Sequence, residues 1–280
     1  MSESSKRPPV APASQAGLAS HLSRPEREDG RGCGQLTVED EGLRALIFDV
    51  DGTLADTERD GHRPAFNAAF READLDWHWE EALYGELLEV TGGKERIAYF
   101  VSRHRPEFAM LPDYAERVAA LHRAKTRHYT RLAASGAIPL RPGVAHLLAE
   151  ARAAGLRMAI ATTTTPENVS ALLMPALGPD AMGWFEVVGA GDVVPAKKPA
   201  PDIYLWVLER LGLPASACLA FEDSENGLRA SLRAGLATIV TPCDYTRSRG
   251  FGGAAAVLET LEGLALPRMR KWVSGTPTAV

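Results

Sequence analysis

Two carboxylates separated by one residue, Asp49 and Asp51, follow directly on the apolar run Leu46-Ile47-Phe48. Such a run reads as a buried strand, and its carboxyl end is where open α/β sheets place their ligands. Gly52 lets the backbone turn sharply away. Acids this close repel each other unless a cation lies between them. A hard divalent cation such as Mg²⁺ fits, because it takes oxygen ligands, keeps several waters and is held by few carboxylates plus a substrate phosphate. Alone, Asp-Val-Asp-Gly-Thr is equally a strand end and a polar turn. Its weight comes from three further polar sites, spaced down the chain as one active site requires.

Charge and reach assign those sites their chemistry. Asp49 is the candidate nucleophile, since a carboxylate can attack phosphorus in line and form an aspartyl-phosphate. Asp51 is the candidate acid that protonates the leaving alkoxide and then the base that activates water; pure metal binding is its other role. Thr162 offers a hydroxyl and nearby backbone N–H groups to a phosphoryl oxygen, with Thr163 and Thr164 beside it as substrate contacts. Lys198 supplies positive charge against phosphate and Asp49. Lys197 competes for that role, but the following Pro199 favours an extended, pre-ordered Lys198. Asp223 completes the carboxylate set, with Glu222 a direct or water-mediated ligand; both also suit the start of the next helix. Three carboxylates and a lysine at one sheet edge are costly without a bound cation and anion.

The elements that must position these groups alternate. Met158–Ala161 is predicted as a second strand, Phe185–Val188 as a third, Cys218–Phe221 as a fourth and Ala237–Val240 as a fifth. Helices are expected after Gly143, from Pro166, over Tyr204–Leu211 and from Glu225 or Asn226. Strands alternating with helices imply a parallel sheet covered on both faces. Between the first two strands, Ala55 to about Pro139 is expected to be wholly helical, with Ala65, Phe66, Ala69, Phe70 and Ala73 on one face. Its Thr91-Gly92-Gly93-Lys94-Glu95-Arg96 segment either opens a helix whose free N–H groups face an anion or is a loop with solvated charges.

The 280 residues, 45% of them hydrophobic, suffice for one large domain or two unequal ones. A net charge of -5 gives no footprint for nucleic acid. The three cysteines, Cys33, Cys218 and Cys243, have no metal-ligand spacing and read as reduced thiols of a cytoplasmic protein. No apolar stretch reaches membrane-spanning length. Residues 1–40 have the composition of a flexible tail, and Glu26, Glu28, Asp29, Glu39 and Asp40 argue against a transit peptide.

Asp49-Val50-Asp51-Gly52-Thr53, Thr162, Lys198-Pro199 and Glu222-Asp223 resemble the four ordered motifs of the haloacid dehalogenase superfamily, over roughly residues 43–260. The resemblance implies a Rossmann-like α/β core (41–55 and 140–270), an inserted α-helical cap (56–139), Mg²⁺ dependence and the Asp51 backbone carbonyl on the metal. Glu58, His62-Arg63, the Gly92-Gly93 run, Lys197 to Asp202 and Glu222 to Gly227 are similar to the CbbY-type phosphatases, grouped near β-phosphoglucomutase and phosphoglycolate phosphatase. That likeness implies action on xylulose 1,5-bisphosphate, an inhibitory by-product of Rubisco in Calvin-cycle cells. Glu58 and His62 then face the sugar, Gly92, Gly93, Lys94 and Arg96 hold the uncleaved phosphate, and the protein works as a monomer on a small phosphorylated sugar. An ordinary surface position is the other reading of His62. The interval from Asp51 to His62 is one residue longer than the family pattern. A phosphomutase, a phosphoglycolate phosphatase and a non-catalytic sugar-phosphate sensor are the alternatives; the intact Asp49 and Asp51 weigh against the last.

Overall fold

The computed structural model describes residues 42–273. The tail expected over 1–40, and with it Cys33, lies outside the described residues. Strand β1 (Ala45–Phe48) leads through a π-helical turn (Glu58–His62) into α1 (Arg63–Glu72), α2 (Glu81–Leu87), α3 (Gly93–His104), α4 (Pro106–Ala109) and α5 (Tyr114–Ala134). The chain then alternates: α6 (Val144–Ala153), β2 (Arg157–Ala161), α7 (Pro166–Leu177), β3 (Val187–Gly189), α8 (Asp202–Leu211), β4 (Cys218–Glu222) and α9 (Glu225–Arg233). It closes with β5 (Ala237–Val240), β6 (Ala256–Val257) and α10 (Leu266–Val273). The sheet order is β3-β2-β1-β4-β5-β6 and every pairing is parallel.

Both faces of the sheet are buried, as the near-continuous apolar strands require. Leu46 and Phe48 join Met158, Ile160, Leu219 and Phe221 under α6, α7 and α10. Ala45 and Ile47 join Ala159, Ala161, Cys218 and Ala220 under α8 and α9. Phe48 stacks on Phe221 with ring centroids 4.7 Å apart. Each large side chain buried this way contributes roughly 2 kcal/mol. The chain runs outward from β1 to β3, then returns to β4 on the other side of β1. The crevice beyond β1 and β4 is therefore the switch point at which open α/β sheets bind ligands.

The stretch between β1 and β2 is helical as expected, with its own aromatic cluster of Phe66, Phe70, Trp77, Trp79, Tyr84, Phe100 and Phe108. The buried Asn67 side chain both donates to Trp79 O (3.0 Å) and accepts from Trp79 N–H (2.8 Å), satisfying backbone groups that lie outside any helix or strand. The C-terminal half of α5 packs elsewhere: Tyr129 and Ala133 belong to the sheet's cluster.

Three expectations are corrected. The third strand spans Val187–Gly189, not Phe185–Val188. Phe185 packs edge-on against Phe48 from the preceding turn, so its apolar character served the core without joining the ladder. Strand β6 was not anticipated, because two residues at an edge carry no periodic signal. Ala73 ends α1 and is exposed, unlike Ala65, Phe66, Ala69 and Phe70.

Candidate active site

By register Phe48 lies beside Phe221, which sets Asp49 level with Glu222 on neighbouring parallel strands. Asp223 follows. Lys198, from the loop before α8, donates to Asp49 Oδ1 at 2.7 Å and Glu222 Oε1 at 2.5 Å. Thr53 Oγ1 donates to Asp49 Oδ2 at 3.1 Å. Asp49, Glu222 and Asp223 each place a carboxylate oxygen within 4.8 Å of the others. Two glycines make room: a Cβ at Gly52 would fall 2.2 Å from Asp223 Oδ2, and one at Gly227 would fall 1.9 Å from Glu222 Oε2. Lys197 points elsewhere, donating to the Gly191 carbonyl and to Asp192 Oδ1 (2.6 Å), so Lys198 is the lysine that meets Asp49.

Burial dominates the electrostatics here. It pushes the Asp49 carboxyl up to about 7, helped by Glu222 and Asp51 and opposed by Lys198. Burial, then Asp49 and Glu222, raise Asp223 well above the usual carboxylate range. For Lys198 burial works downward, but Asp49 and Glu222 outweigh it and hold the ammonium charged. Three buried carboxylates against one ammonium leave unbalanced negative charge, and Glu222 Oε2 is buried with no hydrogen-bond partner. An all-oxygen donor set with an orphaned acceptor fits a hard divalent cation.

Asp51 stands outside that trio and has a different environment. Thr57 Oγ1 (2.7 Å) and His62 Nε2 (2.8 Å) both bond its Oδ1 rather than Oδ2. Burial opposes ionisation, but His62, Thr57 and Lys125 overcome it and hold Asp51 below the usual carboxylate range. His62 is 2% exposed and stacks on Tyr129 at 4.1 Å, which corrects the surface-residue alternative. The segment leading to it forms a π turn, in which Arg63 N–H bonds Glu58 O five residues back. Only glycine fits at 61, since a Cβ there would lie 2.6 Å from Ile138 and 2.7 Å from the Tyr129 ring.

The remaining predicted residues line two chambers. A chamber of about 80 Å³ holds Asp49, Lys198 and Asp223; one of about 230 Å³ holds Gly92, Gly93, Lys94, Thr164 and Lys197. Asp51, Glu58, Arg96 and Thr163 line both. Thr162 lines neither: it is 1% exposed and its hydroxyl accepts from Thr164 N–H at 3.3 Å. Glu58 accepts from Tyr84 OH and from Arg96 Nη1 (3.4 Å), and Arg96 also donates to Tyr84 at 2.8 Å. Lys94 reaches Asp192 Oδ2 at 3.0 Å. The Gly92-Gly93 run does open a helix, α3.

Residues 43–235 match the haloacid dehalogenase-like hydrolases. The chain belongs to that family. It is 53% identical to Protein CbbY (plasmid) of Cupriavidus necator over 225 residues, 80% of this chain and 88% of that protein. It superposes on CbbY of Rhodobacter sphaeroides, solved with phosphate and, as an Asp-to-Asn mutant, with xylulose-(1,5)bisphosphate. Each match has a TM-score of 0.74 and 48% identity, covering 80% of this chain and 96% of that one. A β-phosphoglucomutase from Clostridium difficile matches in fold alone, at TM-score 0.67 and 17% identity over 83% of this chain and 97% of that one. The chain is thus a hydrolase of the CbbY type, a phosphoric monoester hydrolase.

Several side chains of this CbbY-type hydrolase's site escape sequence reasoning. Lys125 lines the larger chamber, 5% exposed, with Nζ 5.1 Å from the Phe66 ring centroid and 5.4 Å from that of Tyr129; burial pulls it down to about 8. Its signal was a cation inside the four-residue apolar spacing Leu121-Lys125-Tyr129. His122 lines the same chamber, pulled down to about 4 by burial and by Lys125. Arg141 ties the Gly52 carbonyl to those of Thr241 (2.6 Å) and Pro242 (2.8 Å), fixing the turn after Asp51. Nothing local to Arg141 or Thr57 announces these roles.

Proposed function

We propose that this hydrolase removes one phosphate from a sugar bisphosphate, xylulose 1,5-bisphosphate, through an aspartyl-phosphate on Asp49. The two-chamber cavity carries this reading. The small chamber has the nucleophile and Lys198, while the large one brings Lys94, Lys125 and Lys197 together beside carboxylates such as Asp192, to which Lys94 and Lys197 both bond, and holds no second three-acid cluster among the described residues; its lysines suit an anionic group that is held and not cleaved. The bisphosphate bound by the Rhodobacter sphaeroides relative has a phosphate at each end.

In the first step an Asp49 oxygen attacks phosphorus as the phosphorus–sugar oxygen bond breaks, and Asp51 Oδ2 gives the departing alkoxide its proton. Asp51 begins as a carboxylate in the arrangement described, so it must take up that proton before it acts. In the second step water attacks the phosphorus, Asp51 takes the proton, and phosphate leaves Asp49. Lys198 stabilises charge on the transferring group throughout. Mg²⁺, held by Asp49, Asp223 and the Asp51 carbonyl with Glu222 direct or through water, would neutralise phosphoryl oxygens. The helices of 56–139 act as a cap over the 41–55 and 140–270 core, excluding water. Within it Glu58, oriented by Arg96 and Tyr84, and His62 face the sugar, and Thr163 and Thr164 contact phosphate. The removal of this sugar would serve Rubisco in the Calvin cycle.

The test is a panel of phosphorylated sugars with Mg²⁺, including xylulose and ribulose 1,5-bisphosphates, glucose phosphates and phosphoglycolate, with phosphate release and products both measured. Xylulose 1,5-bisphosphate should give a kcat/KM at least about tenfold above the others, the effect of about 1.4 kcal/mol of extra transition-state binding. Preferred turnover of phosphoglycolate, or conversion of a glucose phosphate to its isomer without net phosphate release, would overturn it.

A further inference from the structure

Tyr204 is fully buried on α8 and lines neither chamber, yet it touches the centre. Its hydroxyl donates to Glu222 Oε1, the oxygen that also takes Lys198 Nζ, and its ring lies 5.2 Å from that ammonium. Both donors therefore load one oxygen of a carboxylate that is 1% exposed, and Oε2 has no partner. A buried acceptor left bare is costly unless something else completes it.

An ammonium is a point charge with three rotatable donors, so Lys198 alone permits many tilts of the Glu222 carboxylate plane. A second, directional donor on the same oxygen removes that freedom. Resting on the reading that Asp49, Glu222 and Asp223 hold the divalent cation, we propose that Tyr204 is a positioning residue for the metal. Its hydroxyl fixes the tilt of Glu222 so that Oε2 is kept for the cation or a water bound to it. It also shares the load on Glu222, which leaves Lys198 free to hold Asp49. Gly227 completes the arrangement, because any side chain there would displace the carboxylate. Outer partners of metal-binding carboxylates commonly set affinity in this way.

Tyr204→Phe keeps the ring and removes only the hydroxyl. Mn²⁺ binding to the substrate-free enzyme, read by the electron paramagnetic resonance of free Mn²⁺, should weaken about tenfold with an unchanged near-ultraviolet circular dichroism spectrum. In a Glu222→Gln background the same substitution should change Mn²⁺ affinity less than about twofold, since the path runs through Glu222. If the wild type binds no Mn²⁺, the cation assignment fails and this proposal with it. Should the wild type and Tyr204→Phe bind Mn²⁺ equally, or the full loss persist beside Glu222→Gln, Tyr204 has no such role whatever the substrate is.

Discussion

The Lys198 ion pairs of the centre and the Lys94–Asp192 pair of the larger chamber stand on opposite physical terms. At the centre, Lys198 is 5% exposed and its partners Asp49 and Glu222 are fixed by adjacent strands. In the larger chamber, the Lys94 side chain is 47% exposed and its partner Asp192 68%. An exposed pair of that kind contributes about 0.2–1 kcal/mol and is screened by salt, whereas a buried charge that loses its partner costs several kcal/mol. The centre therefore keeps its geometry until a charge of the right sign arrives. On the proposed reading, Lys94 would trade Asp192 for a substrate anion at little cost. On that reading, one region serves the chemistry and the other serves capture.

The sharpest break of that contrast is Asp49→Asn, which should lower kcat by about 10⁴-fold or more while circular dichroism shows an intact fold. Turnover within tenfold of wild type would remove Asp49 as nucleophile.

The next effect concerns the cation. Asp49 is raised from 3.8 to about 7, so its contribution to metal-free stability is full below pH 4 and is lost as the pH climbs through 7. Asp223, shifted the same way, adds to that loss. A divalent cation binds the ionised carboxylates, so Mg²⁺ should raise the melting temperature by several degrees at pH 8 and by much less at pH 5.5. Chelator should abolish turnover. An equal or larger shift at pH 5.5 would mean that Mg²⁺ acts elsewhere.

The smallest effect belongs to the larger chamber. Lys94→Ala should raise KM for the bisphosphate about three- to tenfold and leave hydrolysis of p-nitrophenyl phosphate nearly unchanged, with the difference shrinking at high salt. Equal losses on both substrates would show that Lys94 supports the fold or the chemistry, not capture.

How legible each region was follows the same divide. Asp49, Glu222 and Asp223 sit at strand ends whose apolar runs announce both the strand and where it stops, and parallel pairing then makes their meeting nearly automatic. Lys198 over Lys197 was also readable, from the proline after it. The helical side was legible as helix and as aromatic core, but not as a site. His62 looked the same as a solvated helix residue until the π turn and Tyr129 placed it against Asp51. Thr162 carried the family pattern, yet the chamber wall is formed by its neighbours Thr163 and Thr164.

The amino-acid sequence by itself determined the alternating α/β order, the helical insertion and the acidic strand ends, because these rest on local periodicity and on where apolar runs break. Only the tertiary structure decided which groups share a hydrogen bond, an acidic cluster or a wall. Tyr204 reaches Glu222 across 18 residues of chain, His62 reaches Asp51 across 11 from the end of a π turn, and Arg141 reaches Gly52 from 89 residues away. Contacts between side chains of distant elements depend on packing angles and burial, and these have no signature in the residues on either side.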